Sequence, residues 1–328
     1  MSRCVKWCTT ALLSLLCLCI SAQTLFAQSA DYPRGPIRIL VGFPPGGATD
    51  LAARALAEGL NRKWSVPVVV ENKPGANGVI AIEEVRRAAP DGQVLHATAT
   101  GTMVMLPHVS RLSFDPRKDL TPITLLSLYS FVFVSASSMP FINMKELLAW
   151  AKQNPTQASH ATTGNGSSSH FAFELLKQST ATEMTAVPYK GDGVILPDLA
   201  AARITVALMP VQTAKPLIDA GRVKALAVSG ARRVADLPNV PTIAESGFPE
   251  LEIKPWVSLV GPAGMPNELV QKINAAANEV MLSPAARTRL TSLLSELVPM
   301  TAADTRQHLS REYDRWGEVA RKANIHAD

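Results

Sequence analysis

Cysteine is missing from all but the start of this 328-residue chain, whose four cysteines are Cys4, Cys8, Cys17 and Cys19. Arg3 and Lys6 form a basic opening, Ala11–Ile20 is an apolar stretch, and small residues follow it. That order is the pattern of a secretory signal peptide, residues 1–30, with cleavage expected after Ala27 or Ala30. The apolar stretch is too short to span a bilayer, which argues against a retained anchor. Neither Cys17 nor Cys19 follows a small residue, so no lipoprotein cleavage site is apparent. The exported chain would then hold no disulfide, no thiolate metal ligand and no cysteine nucleophile. A soluble periplasmic protein is the expectation.

Charge of one sign is also scarce. The formal net charge is +5, and +3 without Arg3 and Lys6. No cluster of Lys and Arg interleaved with aromatics occurs, so nucleic acid is not an expected partner. Enzyme signatures are lacking too. Gly164-Asn165-Gly166 has no third glycine of a dinucleotide loop, and no phosphate loop ends in Gly-Lys-Ser/Thr. No Gly-x-Ser-x-Gly elbow occurs. The six histidines have no metal-ligand spacing. Neither a metal nor a cofactor is expected. Hydrolysis would need a spatial group such as Ser168, His170 and Asp50, for which sequence adjacency of Ser and His is poor evidence.

What is present is an alternation of strand-like and helix-like runs from Pro36 onward. Strands are expected at Ile37–Val41, Val66–Glu71, Val94–Thr98, Leu125–Val134, Ala158–Thr162, Thr185–Val187, Ile204–Met209, Val223–Ser229 and Ile253–Leu259. Leu51, Ala52, Ala55, Leu56, Gly59 and Leu60 have the spacing of a buried helix face. Asn143 with Glu146 reads as a capping box, and Gly221 as a helix C-terminal glycine. The pattern predicts an α/β fold, mostly parallel sheets flanked by helices. Its length predicts two lobes, with the runs at Leu125–Val134 and 251–259 as crossovers. The first lobe would be residues 31–129 plus 253–328, including a helical tail, and the second residues 130–252.

Four loops carry the chemistry. Phe43-Pro44-Pro45-Gly46-Gly47-Ala48-Thr49-Asp50 joins a strand to a helix, a common way to build an anion site. The first helical turn offers N–H groups without intrahelical partners, and Gly46 and Gly47 let a ligand approach the main chain. Asn72–Gly78, Thr163–His170 and Tyr189–Gly193 occupy similar positions, and loops at the carboxyl ends of strands gather where ligands bind. Loops of this kind in both lobes point to a cleft that closes on a ligand. Thr49 and Asp50 either cap the helix or touch the ligand, and Asp50 suits a cap or a ligand ammonium better than an anion. Asn77 is expected as an N-cap. Ser167, Ser168 and Ser169 are caps or ligand contacts, and His170 is a core histidine or a ligand. Tyr189 is expected half-buried with its hydroxyl at the cleft, Lys190 is solvated or bridges the lobes, and Trp256 lines the cleft or packs.

The four loops, in this order, resemble the Bug family, the TctC-like extracytoplasmic solute receptors of tripartite tricarboxylate transporters. Gly221–Ala227, Leu237-Pro238-Asn239-Val240-Pro241-Thr242 and Gly261-Pro262-Ala263-Gly264-Met265-Pro266 extend the resemblance over nearly the whole exported chain. It implies a two-lobe periplasmic binding protein, a Venus flytrap, whose cleft holds a small carboxylate through main-chain groups and ordered waters. That fits loops lacking arginine, since water-bridged contacts are close to direct ones in enthalpy. On this reading of the loops the candidate ligand-binding residues are Phe43, Gly46, Gly47, Thr49, Asp50, Asn77, Thr100, Gly164, Ser167, Ser168, His170 and Tyr189. The partners implied are a small carboxylate, such as an organic acid or acidic amino acid, and separate membrane permease subunits, the receptor itself being a monomer. A membrane sensor in place of the permease is the alternative, and a periplasmic hydrolase a further one. Pro44-Pro45 and Ala202 depart from the family pattern.

Overall fold

In the computed structural model, residues 32–291 and 296–326 are described; the expected signal peptide and both its cleavage positions lie outside the described residues. The chain opens with β1 (Ile37–Val41), α1 (Ala48–Trp64), β2 (Val68–Asn72), α2 (Val79–Arg86), β3 (Val94–Ala99), α3 (Leu106–Val109) and β4 (Leu120–Leu128). It continues through β5 (Phe131–Ala136), α4 (Met144–Gln153), β6 (Ser159–Thr162), α5 (Ser168–Thr180) and β7 (Thr185–Pro188). Next come α6 (Leu196–Ala200), β8 (Val206–Pro210), α7 (Val211–Asp219) and β9 (Val223–Val228). It ends with β10 (Trp256–Pro262), α8 (Asn267–Leu282), α9 (Pro284–Thr291) and α10 (Ala302–Lys322).

These strands form two five-stranded sheets, β2-β1-β3-β10-β4 and β7-β6-β8-β5-β9, one per lobe. Both are mixed. In the first, β1 pairs parallel with β2 and β3, while β10 runs antiparallel to β3 and β4. In the second, β6 pairs parallel with β7 and β8, while β5 runs antiparallel to β8 and β9. Each sheet therefore has one reversed strand, and in each it occupies the same place. The reversed strand is the one that has just crossed from the other lobe, so it enters its sheet from the opposite end. β5 and β8 are buried along their whole length, as strands covered on both faces should be. α8 and α10 pack against β4, returning the end of the chain to the first sheet.

The apolar run Leu125–Val134 does not form one strand: it breaks at Tyr129-Ser130, where the chain leaves the first sheet for the second. The return strand begins at Trp256 and not at Ile253, because the Ile253 N–H donates to the Ser229 carbonyl instead of the sheet. Ser229 ties both crossovers together: its hydroxyl accepts from the Phe131 N–H at 3.1 Å and donates to the Ile253 carbonyl at 2.8 Å. Asn143 caps α4 by accepting from the Glu146 N–H at 2.9 Å, and Gly221 follows α7 with φ +66°.

Candidate functional site

The turn after β1 is held by a partly buried polar network. Asp50 accepts from the Gly46 N–H at 3.0 Å, from Asn72 Nδ2 at 2.9 Å and from Arg54 Nε at 2.9 Å. Arg54 also donates to Asn72 Oδ1, and Asn72 donates to the Phe43 carbonyl, each at 2.9 Å. Burial of Asp50 works against its charge, but the hydrogen bonds from Arg54, Gly46 and Asn72 outweigh it and hold its carboxyl below the usual carboxylate range. Asp50 is thus neither a helix cap nor a cavity residue; it shapes the turn. The N-cap of α1 is Gly47, in extended conformation with no side chain over it. Gly47, Ala48 and Thr49 consequently present the uncapped first turn of the helix to a cavity.

The loop after β6 builds the facing wall. Ser167 is the N-cap of α5 and accepts from the His170 N–H at 3.2 Å. Its hydroxyl also lies 3.0 Å from Ser169 Oγ and 3.2 Å from Thr162 Oγ1. Ser169 Oγ accepts from the Thr163 N–H at 3.3 Å. Thr163, Ser167, Ser168 and Ser169 line the same cavity as Thr49. The two lobes meet closely around it. Gly166 lies against the backbone of Leu106, such that a Cβ there would come within 2.5 Å of the Leu106 Cα. Asn77 Nδ2 donates to the Asn165 carbonyl at 3.5 Å, and Gly191 backs onto Pro44.

The cavity between these walls measures about 50 Å³ as space open to the centre of a water molecule. Roughly 10–15 Å³ in this measure holds one water, so the space suits a ligand of a few carbons. The crossovers complete the lining with Tyr129 and Phe131, β8 with Leu208 and Pro210, β3 and its following turn with Ala99 and Gly101, and the loop after β7 with Asp192. The Tyr129 and Phe131 rings are edge to face, with centroids 5.4 Å apart. Asp192 is half-buried, and loss of solvent pushes its carboxyl up to about 7, only partly offset by its own backbone N–H. The lining contains no lysine, arginine or histidine.

Of the residues expected from sequence, Phe43, Gly47, Thr49, Asn77, Ser167 and Ser168 stand together in the lining. Asn77 is not an N-cap: it has left-handed backbone (φ 50°), its carbonyl accepts from Thr102 Oγ1 at 2.8 Å, and Gly78 precedes α2 without a side-chain cap. Gly46, Asp50, Thr100, Gly164, His170 and Tyr189 stand outside the lining. Gly46 serves Asp50. Thr100 Oγ1 accepts from the Trp256 N–H at 2.7 Å, and Trp256 itself is fully buried in the core. Gly164 shapes the loop by accepting from the Ser167 N–H. His170 Nδ1 accepts from the Gly166 N–H at 3.2 Å, while Asp50 is held in the first lobe, so Ser168, His170 and Asp50 do not form a charge-relay group. The half-buried Tyr189 donates its hydroxyl to Asp198 Oδ2 at 2.8 Å, and Lys190 is exposed. Tyr129, Phe131 and Asp192 were not singled out by sequence; Asp192 alone left a trace, as a charge inside a glycine-flanked loop.

Two sheets joined by paired crossovers, with two helix starts facing one cavity between the lobes, define a two-lobe α/β solute-binding protein. Comparison with known proteins gives the family. A family model described as "Tripartite tricarboxylate transporter family receptor" matches residues 52–325, and the chain belongs to that family. Protein BugT of Bordetella pertussis is 31% identical over 317 residues, which is 95% of this chain and 97% of that protein. Among solved structures, the periplasmic binding protein BugD superimposes with TM-score 0.85 at 29% identity, covering 90% of this chain and all of that one. MatC from Rhodopseudomonas palustris, solved with bound malate, superimposes with TM-score 0.83 at 30% identity over 88% of this chain and 99% of that one. An R. palustris protein solved with adipate gives TM-score 0.86 at 30% identity, covering 91% of this chain and 100% of that one. Members of this family and these neighbours are binding proteins, and neighbours of this fold are periplasmic.

Proposed function

We propose that this chain is a periplasmic receptor that binds a small carboxylate between its lobes, without altering it, and delivers it to a tripartite tricarboxylate-type membrane permease. The observation that carries this is the pair of helix starts, Gly47–Thr49 and Ser167–Ser169, one from each lobe, on one small cavity whose lining holds no basic side chain. First-turn N–H groups and hydroxyls from both sides suit an anion that each lobe alone would hold poorly. Ligand favours the closed form only through contacts made better when both lobes engage it, which gives a permease a liganded shape to recognise. The binding of malate and adipate by structural neighbours supports a carboxylate. Both halves of the cavity come from one chain, in keeping with a monomer. The hinge is taken to be the two crossovers, which sets the lobe boundaries near residues 129–130 and 253.

Thermal melts across a panel of small organic acids test the reading, because a ligand that binds only folded protein raises its melting temperature. At least one acid should raise the melt, and a Thr49→Leu/Ser168→Leu double variant should lose that response while melting nearly as the unliganded parent does. Mass analysis of the acids after incubation should find them intact. Turnover of an acid, or a full response from the double variant, would overturn the assignment.

A further inference from the structure

The cavity lining carries two kinds of chemistry. One is the anion-favouring pair of helix starts. The other is Asp192, which shares the lining with the Tyr129 and Phe131 rings and the apolar groups of Leu208 and Pro210. Asp192 is the one charged residue of the lining, and its charge reaches the Tyr129 hydroxyl, whose pKa is raised by burial first and by Asp192 second. Among the described residues it has no ion pair, and its own backbone N–H is what stabilises its charge. Two rings set edge to face on the same cavity as an acidic group offer what an ammonium group seeks, ring faces and charge together. A second ligand carboxylate would instead meet a desolvated like charge there.

We propose that the ligand is a small zwitterion, an amino-carboxylate whose carboxylate takes the helix starts and whose ammonium group pairs with Asp192 against the Tyr129 and Phe131 rings. This rests on the reading of the cavity as a carboxylate clamp and narrows it. The upward push that burial exerts on the Asp192 carboxyl agrees with it, since a cation arriving with the ligand supplies the missing partner. Gly191 lies against Pro44 of the first lobe, where a Cβ would meet the Pro44 ring at 3.0 Å, so the Asp192 loop touches the facing lobe. The ammonium contact is therefore one of those that favour the closed form.

Isothermal titration of the parent protein and of Asp192→Asn tests this with amino acids of two to six carbons, α- and ω-substituted. Each is measured beside the diacid and the simple monocarboxylate of equal length, for example 4-aminobutyrate, glutarate and butyrate. At pH 7.5 at least one amino acid should bind the parent tenfold or more tightly than both its counterparts. Asp192→Asn should weaken that amino acid at least tenfold and leave the diacid unchanged or improved; a melt near that of the parent shows that the variant folds. Diacids preferred by the parent, with affinity falling as pH rises through about 7, would mean that a protonated Asp192 donates to a second carboxylate, and would overturn the zwitterion while keeping the clamp. Equal loss for all three ligand types would reduce Asp192 to a structural residue and overturn it too. Failure of every carboxylate to bind would remove the clamp and this inference together.

Discussion

A methyl group at Gly166 should hold the lobes apart. In Gly166→Ala the new Cβ would sit 2.5 Å from the Leu106 Cα, 2.6 Å from its Cδ1 and 2.8 Å from its Cβ. Carbon atoms rest about 3.5–4.0 Å apart, so the two segments must separate by roughly 1 Å, and a rotamer change at Leu106 cannot relieve contact with its Cα. Overpacking of this kind costs about 1–3 kcal/mol, and here the cost falls on the closed arrangement alone. Separately, Gly166 has φ +72°, a left-handed conformation that costs alanine about 1–2 kcal/mol in either arrangement. The unliganded melt should therefore fall by roughly 2–8 °C. Beyond that, Kd for the organic acid that stabilises the parent most should rise about 5- to 150-fold. Isothermal titration and thermal melts on one preparation separate the two effects. A lowered melt with unchanged Kd would show that the Gly166–Leu106 contact is not part of the liganded form, and the reasoning would fail.

Asp50→Ala removes the acceptor shared by Gly46, Asn72 and Arg54 and should cost about 2 kcal/mol, the half-exposed Arg54 adding little, as read from urea unfolding. Because the folded pKa of Asp50 is depressed, its contribution is complete above the ordinary carboxyl pKa and is lost as pH falls through the folded value. Two core histidines act at milder acidity. Burial lowers His160 to about 3 and His96 to about 4, so the unfolded chain takes up their protons first and stability falls as pH drops below about 6.5. Each should cost about 2 kcal/mol between pH 7.5 and 5. His160→Phe, which keeps the stack on Phe173, should reduce that acid loss by about 2 kcal/mol in paired melts; an undiminished loss would refute the assignment.

Loops were the most legible part of the sequence, because Gly and Pro mark where strands end, and Phe43–Asp50 and Thr163–His170 do flank the cavity. The side chains that face it were less so. In Phe43–Asp50 the tempting polar residue was Asp50, yet its charge is satisfied by Arg54, a helix residue that no loop motif includes. Tyr129 and Phe131 were hidden inside Leu125–Val134, since a continuous apolar run cannot show that a chain changes sheets midway. For Tyr189 the sequence could not show the hydroxyl's partner: Asp198 is nine residues on, and the fold of the intervening turn brings the two together. Asp192 was visible as a residue, but its place in the lining is set by the fold and not by its neighbours in sequence.

The placement of β10 sets an order on how this molecule can be made. It fills the gap between β3 and β4, so the N-terminal half emerges first with two inward strand edges bare, and they stay bare until residues 256–262 have been delivered. The second sheet has β5 at hand before β6–β9 arrive and can finish earlier. A chain threaded from its N-terminus should thus complete its later half first, and a truncation before Trp256 should leave a species prone to pair with copies of itself.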